Sequence, residues 1–398
     1  MTGSAGGSPE GPWTVELDAG EQPAALVGGK GHGLMALAAA GLRVPPGFVV
    51  TTAAYRRAVA GGLDRRIERR LAELPPQAPL DAVEEAAAEV RALLVAATEG
   101  HPATAAVADA FARLGERCGS GPGGADEGGD ADEVCVAVRS SSAAEDAADR
   151  SFAGEHDTYL WVRGVDEVQR RVRECWASLF TARAIAYRAG GAAPAAGPDA
   201  APDTAPDAAP DAMAVVVQQM VPARAAGVFM TLNPSNGDRS KVVVESVWGL
   251  GEPLVSGLVN PDRFTVDKVT GDVVRREVAD KPTEAVRDPD AGRGVVTVAV
   301  DEDRRSAPSL DRDELAELTR LAKLLERRAG CPQDGEFAVA AGPAPRAVHL
   351  VQARPETVWS RRPIRRVATR TGMDAILATL TGATQVEKTA RRPEREAT

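Results

Sequence analysis

The run GGAAPAAGPDAAPDTAPDAAPDA, residues 190 to 212, sets the strongest limit on how this chain can fold. Proline, alanine and aspartate in low-complexity order supply too little apolar surface to offset the entropy of ordering a backbone. The APD units are too short and polar to stack as a solenoid. The run is expected to be a disordered insertion or linker near a subdomain boundary, with ordered structure on either side. A second stretch, GSGPGGADEGGDAD at 119 to 132, reads as a flexible acidic loop.

The rest of the chain is globular in character. Of 398 residues, 44% are hydrophobic, enough for two or more compact units. The net charge of −10 argues against a duplex-binding surface, whose affinity would come from Lys and Arg neutralising phosphates. The basic stretches Arg65 to Arg70 and Arg361 to Arg366 read as a solvated helix face and a tail, so no nucleic-acid partner is expected. Cys118, Cys135, Cys175 and Cys331 show no CxxC or Cys/His metal spacing and are expected as buried thiols in a reducing cytoplasm. No apolar run is long enough to span a bilayer, and MTGSAGGSPEGPW lacks the charged and apolar regions of a signal peptide, so no membrane partner is expected.

Periodicity gives an α+β pattern. Val168, Val172, Trp176, Leu179 and Phe180 recur at helical spacing and predict one amphipathic helix over 165 to 187. Asp311 with Glu314 makes a capping pattern for a helix from 311 to 329, whose apolar stripe is Leu315, Leu318, Leu321 and Leu325 and whose stop is Gly330. Strands are predicted at 134–138, 158–162, 213–221 and 241–246, and a hairpin over 264–278 turns at TGD. A short helix is conceivable at 372–380 in the tail.

The chemistry-bearing residues concentrate near the end of this pattern. PQDGEFAVA at 332–340 and HLVQARPETVW at 349–359 read as two strands joined by a loop over 342–346. That loop length sets Glu336 across from Gln352, with Arg354 one step along the same face, because residues two apart on a strand share a side. The same register sets Phe337 against Val351, Ala338 against Leu350, Val339 against His349 and Ala340 against Val348. A carboxylate, an amide and a guanidinium at one end of a covered sheet make a cradle for a metal and phosphates; the alternative is a Glu–Arg ion pair at a strand end.

Four other segments carry weaker signals. VGGKGHGLMALAAAG at 27–41 sets glycines and Lys30 before a helical run ending at Gly41; a helix start and a lysine suit an anion, but the Walker A spacing is absent. VCVAVRSSSAAEDAADRSFAGEHDTYLWV at 134–162 delivers Arg139 and three serines into a small-residue loop that could close over a polyphosphate, or could be a solvated hairpin with a surface arginine. His156 reads as a loop residue with nothing nearby to make it a nucleophile. VVVQQM at 215–220 is a buried strand ending in polar residues, and Glu245 and Glu252 in ESVWGLGEPLVSGLVNPDRF either support a site or cap a turn.

Taken in order, GGKGHGL, VRSSSAAED, SFAGEHDTYL, LFTARAIAYR, VVVQQMV, GVFMTLNP, GLGEPLVSGLVNPDRF, PQDGEF and LVQARPETVWS resemble the ATP-binding domain of the phosphoenolpyruvate synthase, pyruvate phosphate dikinase and rifampin phosphotransferase family, over about residues 28 to 360. The resemblance implies an ATP-grasp-like fold, in which subdomains 21–189 and 213–360 enclose a nucleotide site, flanked by a flexible 1–20 and a basic tail 361–398. It implies ATP and Mg²⁺ as ligands. Carried over motif by motif, it implies that Lys30, Arg139, Gly154, Thr158, Gln218, Glu336, Gln352 and Arg354 contact ATP or its metal. Glu336 and Gln352 would hold Mg²⁺, and Arg139 and Arg354 would neutralise charge developing during phosphoryl transfer.

Two departures stand out. The family's DIEW is DGEF here, which keeps the acid while Gly335 is expected to loosen the strand and Phe337 lacks an indole donor. The histidine motif of the family's swivelling domain does not follow residue 361, and His32, His101, His156 and His349 all fall within the ATP-domain match. The expectation is an ATP-dependent phosphotransferase component that works with a separate histidine-bearing partner chain or a small-molecule acceptor. Its alternatives are a catalytically silent nucleotide-binding module and a fragment of a longer enzyme.

Overall fold

A computed structural model describes residues 11–75, 77–119, 134–142, 158–189 and 212–359; the expectations for Gly154, His156, the two polar stretches and the tail fall outside them, save for residues 119 and 212 at the edges of the stretches. In chain order the elements are β1 (Thr14–Glu16), α1 (Ala24–Ala39), β2 (Gly47–Val50), α2 (Thr52–Val59), α3 (Leu63–Ala72), α4 (Leu80–Ala97), α5 (Pro102–Arg117), β3 (Val136–Ser142), β4 (Thr158–Val162), α6 (Val165–Ala177), a 3₁₀ turn (Ser178–Phe180), α7 (Ala182–Ala189), β5 (Met213–Gln219), β6 (Ala223–Met230), β7 (Lys241–Trp248), α8 (Glu252–Val255), β8 (Asp262–Asp267), β9 (Val273–Glu277), β10 (Thr283–Arg287), β11 (Val295–Ala299), α9 (Glu302–Arg305), α10 (Arg312–Ala329), β12 (Gln333–Ala340) and β13 (Val348–Pro355). The mixed α+β class stands. Residues up to Thr357 form one compact unit.

The strands form two antiparallel sheets. The first has the order β1-β2-β5-β3-β4 and the second β13-β12-β6-β7-β8-β9, while β10 and β11 pair as a separate ribbon. Alternation along the first sheet shows that both its faces are covered. Phe48, Val50, Val215 and Val217 enter one core with Tyr55, Val90, Phe111 and Trp176, whereas Val49, Ala214 and Val216 enter another with Leu34 and Met35. Two covered faces explain the unbroken apolar run of β5. The second core continues from α1 into the second sheet through Phe229, Val244, Phe264, Phe337 and Leu350, and α10 adds Leu315, Leu318, Leu321 and Leu325.

The sequence-predicted helix at 311–329 appears as α10 with its reciprocal cap: Asp311 accepts from the Glu314 backbone, Glu314 accepts from that of Asp311, and Gly330 ends the helix at φ 68°. The 264–278 hairpin appears as β8 and β9, with Asp267 accepting from the backbone of Val269 and Thr270 at the turn.

Other expectations need correcting. The helix over 165–187 is interrupted by the 3₁₀ turn, after which Thr181 Oγ1 accepts from Ala184 N and starts α7. Residues 14–16, expected to be flexible, pair with β2 because Val15 and neighbouring Trp13 have apolar surface to pack. Arg139 to Ser142, expected in a loop, belong to β3 and pair with Val216 to Met213 of β5. β5, the first strand after residue 212, sits between β2 and β3 in the first sheet.

Candidate functional site

The β12–β13 hairpin keeps one part of its sequence-predicted register and changes the rest. Glu336 faces Gln352, but Phe337 faces Leu350, Ala338 faces His349 and Val339 faces Val348. Val351 is the extra residue, a β-bulge that shifts every pair nearer the loop by one. A bulge leaves backbone groups outside the ladder, and here the Val351 carbonyl accepts a hydrogen bond from Arg139 Nη1 at 2.9 Å.

Arg139 is the residue on which the site converges. It reaches from β3 of the first sheet across to the hairpin of the second, where Nη2 donates to Gln352 Oε1 at 2.7 Å and to Glu336 Oε2 at 3.1 Å. A Glu–Arg pair therefore exists, but Glu336's partner comes from the other sheet and is not Arg354. Arg354 faces Asp334 and is exposed. Thr158 lies opposite Arg139 in the β3–β4 pairing.

Asp334 is the acid that the motif reading passed over. It lies two residues before Glu336, so the two carboxylates share a strand face. Burial pushes its carboxyl up to about 6, against the pull of the Arg354 guanidinium, and its Oδ1 is buried without a hydrogen-bond partner among the described residues. A buried orphan acceptor of this kind is what a cation or a bound water would satisfy. Alternation alone could have identified it, because PQDGEF places an acid at both positions.

Lys30 approaches the same region from α1. Gly28 breaks that helix with φ 70° and ψ 172°, and a Cβ built on it would fall 2.0 Å from the Ser141 carbonyl oxygen, so only glycine permits the approach. Ser141 Oγ donates to Val27 O at 3.0 Å and accepts from Gly31 N at 3.1 Å, fastening the helix start to β3. Lys30 Nζ donates to Ser140 O at 3.0 Å, beside Arg139 in the chain.

A cavity of about 400 Å³ opens beside these groups, lined by Arg139, Thr158, Gln218 and Glu336 together with the apolar Leu160, Met220, Leu250 and Phe337. That volume and mixed lining suit a small-molecule site. The structure thus brings Arg139, Thr158, Gln218 and Glu336 to one wall, with Gln352 bonded to Arg139. Lys30 and Arg354 stand off that wall. Gln218 is buried, and its amide donates to Pro45 O at 3.1 Å, so its side chain is committed to the fold. Glu252 lines the cavity from the first turn of α8, whereas Glu245 is 3.6 Å from Arg263 across β7 and β8.

Among the described residues, no group of three or more His, Cys, Asp and Glu is arranged to hold a metal. The donor set nevertheless suits a hard cation: Glu336 and Gln352 already turn oxygens toward one positive group, the Arg139 guanidinium, and Asp334 has a spare oxygen. No helix among the described residues is long and apolar enough to cross a membrane; none of the four cysteines is in a disulfide, and of the thiols expected to be buried only Cys175 is, the other three being half-buried.

The family profile described as "Pyruvate phosphate dikinase, AMP/ATP-binding domain" matches residues 24–374. Phosphoenolpyruvate synthase of Aeropyrum pernix is 37% identical over 378 residues, covering 88% of this chain and 42% of the relative. Rifampicin phosphotransferase of Streptomyces sviceus is 39% identical over 345 residues, covering 86% and 35%. Prodigiosin synthesizing transferase PigC of Serratia marcescens is 38% identical over 335 residues, covering 84% and 32%. The chain belongs to the pyruvate phosphate dikinase AMP/ATP-binding domain family, and it spans less than half the length of these relatives.

Proposed function

We propose that this chain binds Mg·ATP in the cavity between its two sheets, as an ATP-grasp-like pair of subdomains, and prepares it for phosphoryl transfer. The observation that carries the reading is Arg139 held at once by Glu336, Gln352 and the Val351 carbonyl, which ties the two sheets together at the wall of that cavity. The apolar lining from Leu160, Met220, Leu250 and Phe337 would take the base. Lys30, Arg139 and Arg354 would bear on the phosphates, Arg139 and Arg354 offsetting the charge that develops as the phosphoryl group leaves. Thr158 would add a hydroxyl donor. Gln218 would contribute through the β5 backbone, since its amide is engaged with Pro45. Gly154 is carried by the motif alone.

Glu336 and Gln352, with Asp334 beside them, would hold magnesium, which neutralises and orients the phosphate oxygens when bound. Arg139 would then give up its contacts with Glu336 and Gln352 in favour of phosphate, so the same residues serve an internal ion pair without ligand and a cation with it. The acceptor would be a histidine on a swivelling domain supplied separately, or a small molecule.

Titration of the purified chain with Mg·ATP in a calorimeter tests the reading. Saturable binding that Glu336→Ala and Arg139→Ala both weaken is expected; no binding to the unaltered chain would overturn it. Addition of a separately expressed swivelling domain, with labelled ATP, then tests transfer to histidine.

A further inference from the structure

A second cavity, of about 500 Å³, adjoins the first and shares Thr158, Leu160 and Glu252 with it. One wall is β4, where the pairing with β3 skips a residue: Val136 faces Val162 while Val138 faces Tyr159, so Leu160 and Trp161 together oppose Ala137. Trp161 takes up the irregularity with φ 54°, the one positive φ of a non-glycine residue among those described. It is only 7% exposed, it lines the cavity, and its indole N–H has no hydrogen-bond partner among the described residues. Gly294 N donates to the Trp161 carbonyl at 3.1 Å, which ties the opposite wall to the same residue.

Four arginines line this cavity, and their partners divide them. Arg170 and Arg171 share Glu167 and Glu174 in ion pairs of 2.5 to 2.9 Å, so these four charges cancel. Arg163 is already engaged, whereas Arg293 makes no hydrogen bond or ion pair among the described residues. Arg287 adds a further cation behind the wall, its guanidinium 5.5 Å from the Trp161 ring centroid. Guanidinium and indole groups only donate hydrogen bonds. A ligand that satisfies Trp161 and Arg293 must therefore present acceptors and carry negative charge.

We propose that this second cavity is a subsite for a small oxyanion, a phosphate group free or esterified, bound by Arg293 and the Trp161 indole N–H. It stands apart from the nucleotide reading, although through Thr158 and Glu252 an occupant would touch the wall of the first cavity. Occupancy of one cavity would then alter the affinity of the other, by the same factor in both directions.

Inorganic phosphate titrated into the full chain, followed by calorimetry and by quenching of tryptophan fluorescence, tests this directly. Binding is expected, weakened about tenfold by Arg293→Ala and by Trp161→Phe, and retained in Arg139→Ala. Circular dichroism and thermal melts identify any variant that misfolds; Arg293 is exposed, so its variant keeps the test decisive. Absence of phosphate binding, or binding lost in Arg139→Ala and unchanged in Arg293→Ala, overturns the proposal. A parallel Mg·ATP titration of Arg293→Ala separates the two sites: failure of nucleotide binding with phosphate binding intact counts only against the nucleotide reading.

Discussion

Gly335 and Phe229 face each other across β12 and β6, and the phenyl ring fills the space that a side chain at 335 would need: a Cβ built there falls 2.2 Å from Phe229 Cζ. Gly335 is thus covered by a fully buried ring from the neighbouring strand, and the strand is supported where loosening was expected. Gly335→Ala should cost about 1–3 kcal/mol through overpacking. Gly335→Ile combined with Phe229→Ala should recover part of what Gly335→Ile alone loses, measured as urea midpoints of the three variants.

Arg139 makes a different kind of demand, because its fork meets an amide oxygen, a carboxylate and a backbone carbonyl together. Arg139→Lys should behave nearly as badly as Arg139→Ala, since an ammonium cannot reproduce that geometry. Mg·ATP affinity should fall at least about tenfold in both, equal to about 1.4 kcal/mol. Affinity preserved in the lysine variant would show that charge alone matters there.

The Asp334 carboxyl gives a pH signature. An acid whose folded-state value lies above its ordinary one binds its proton more tightly when folded, so without metal the chain should be most stable below about pH 4 with respect to this group. That contribution should decline as pH rises from 3.8 to about 6, and the penalty above this window is at most about 3 kcal/mol. A divalent cation should offset the penalty, and Mg·ATP binding should weaken as pH falls through about 6. Asp334→Asn should flatten both dependences; if denaturation midpoints and Mg·ATP affinities keep their slopes in that variant, another group titrates.

Lys281 and Asp262 form a buried ion pair at 2.6 Å, and Asp262 also accepts from Ser309 and the Ala279 backbone. The network ties the start of β8 to the segments leading into β10 and α10. Lys281→Met should cost about 3–5 kcal/mol, because it strands a carboxylate in the interior. Lys281→Met with Asp262→Asn should cost less than Lys281→Met alone in chemical denaturation.

Local chemistry was readable wherever the determinants lie close in sequence. Asp311, Glu314 and Gly330 define both ends of α10 by caps that need no distant partner, whereas the loop length yields the Glu336–Gln352 pair only because the Val351 bulge restores a register that is shifted by one at the loop. The failures are non-local or smaller than one residue. Nothing in HLVQ marks Val351 as the bulge, because both faces of the hairpin are apolar and a shift by one exchanges one buried residue for another. Nor does the apolar run of β5 say which sheet it joins. The family resemblance named Arg139, Glu336 and Gln352, but only the structure bonds them to one another. The strained Trp161 has no counterpart in any motif.

The central position of β5 has a consequence for how the polypeptide matures. During synthesis, β2 and β3 must wait, with facing edges bare, until residue 219 has emerged, long after the helices on one side have been made. Closing the first sheet spans the whole 190–212 run, so its length should tune the folding rate more than the final stability. A product ending at 189 would keep its helices and lack the strand that joins β2 to β3, leaving two adhesive margins for a chaperone to shield.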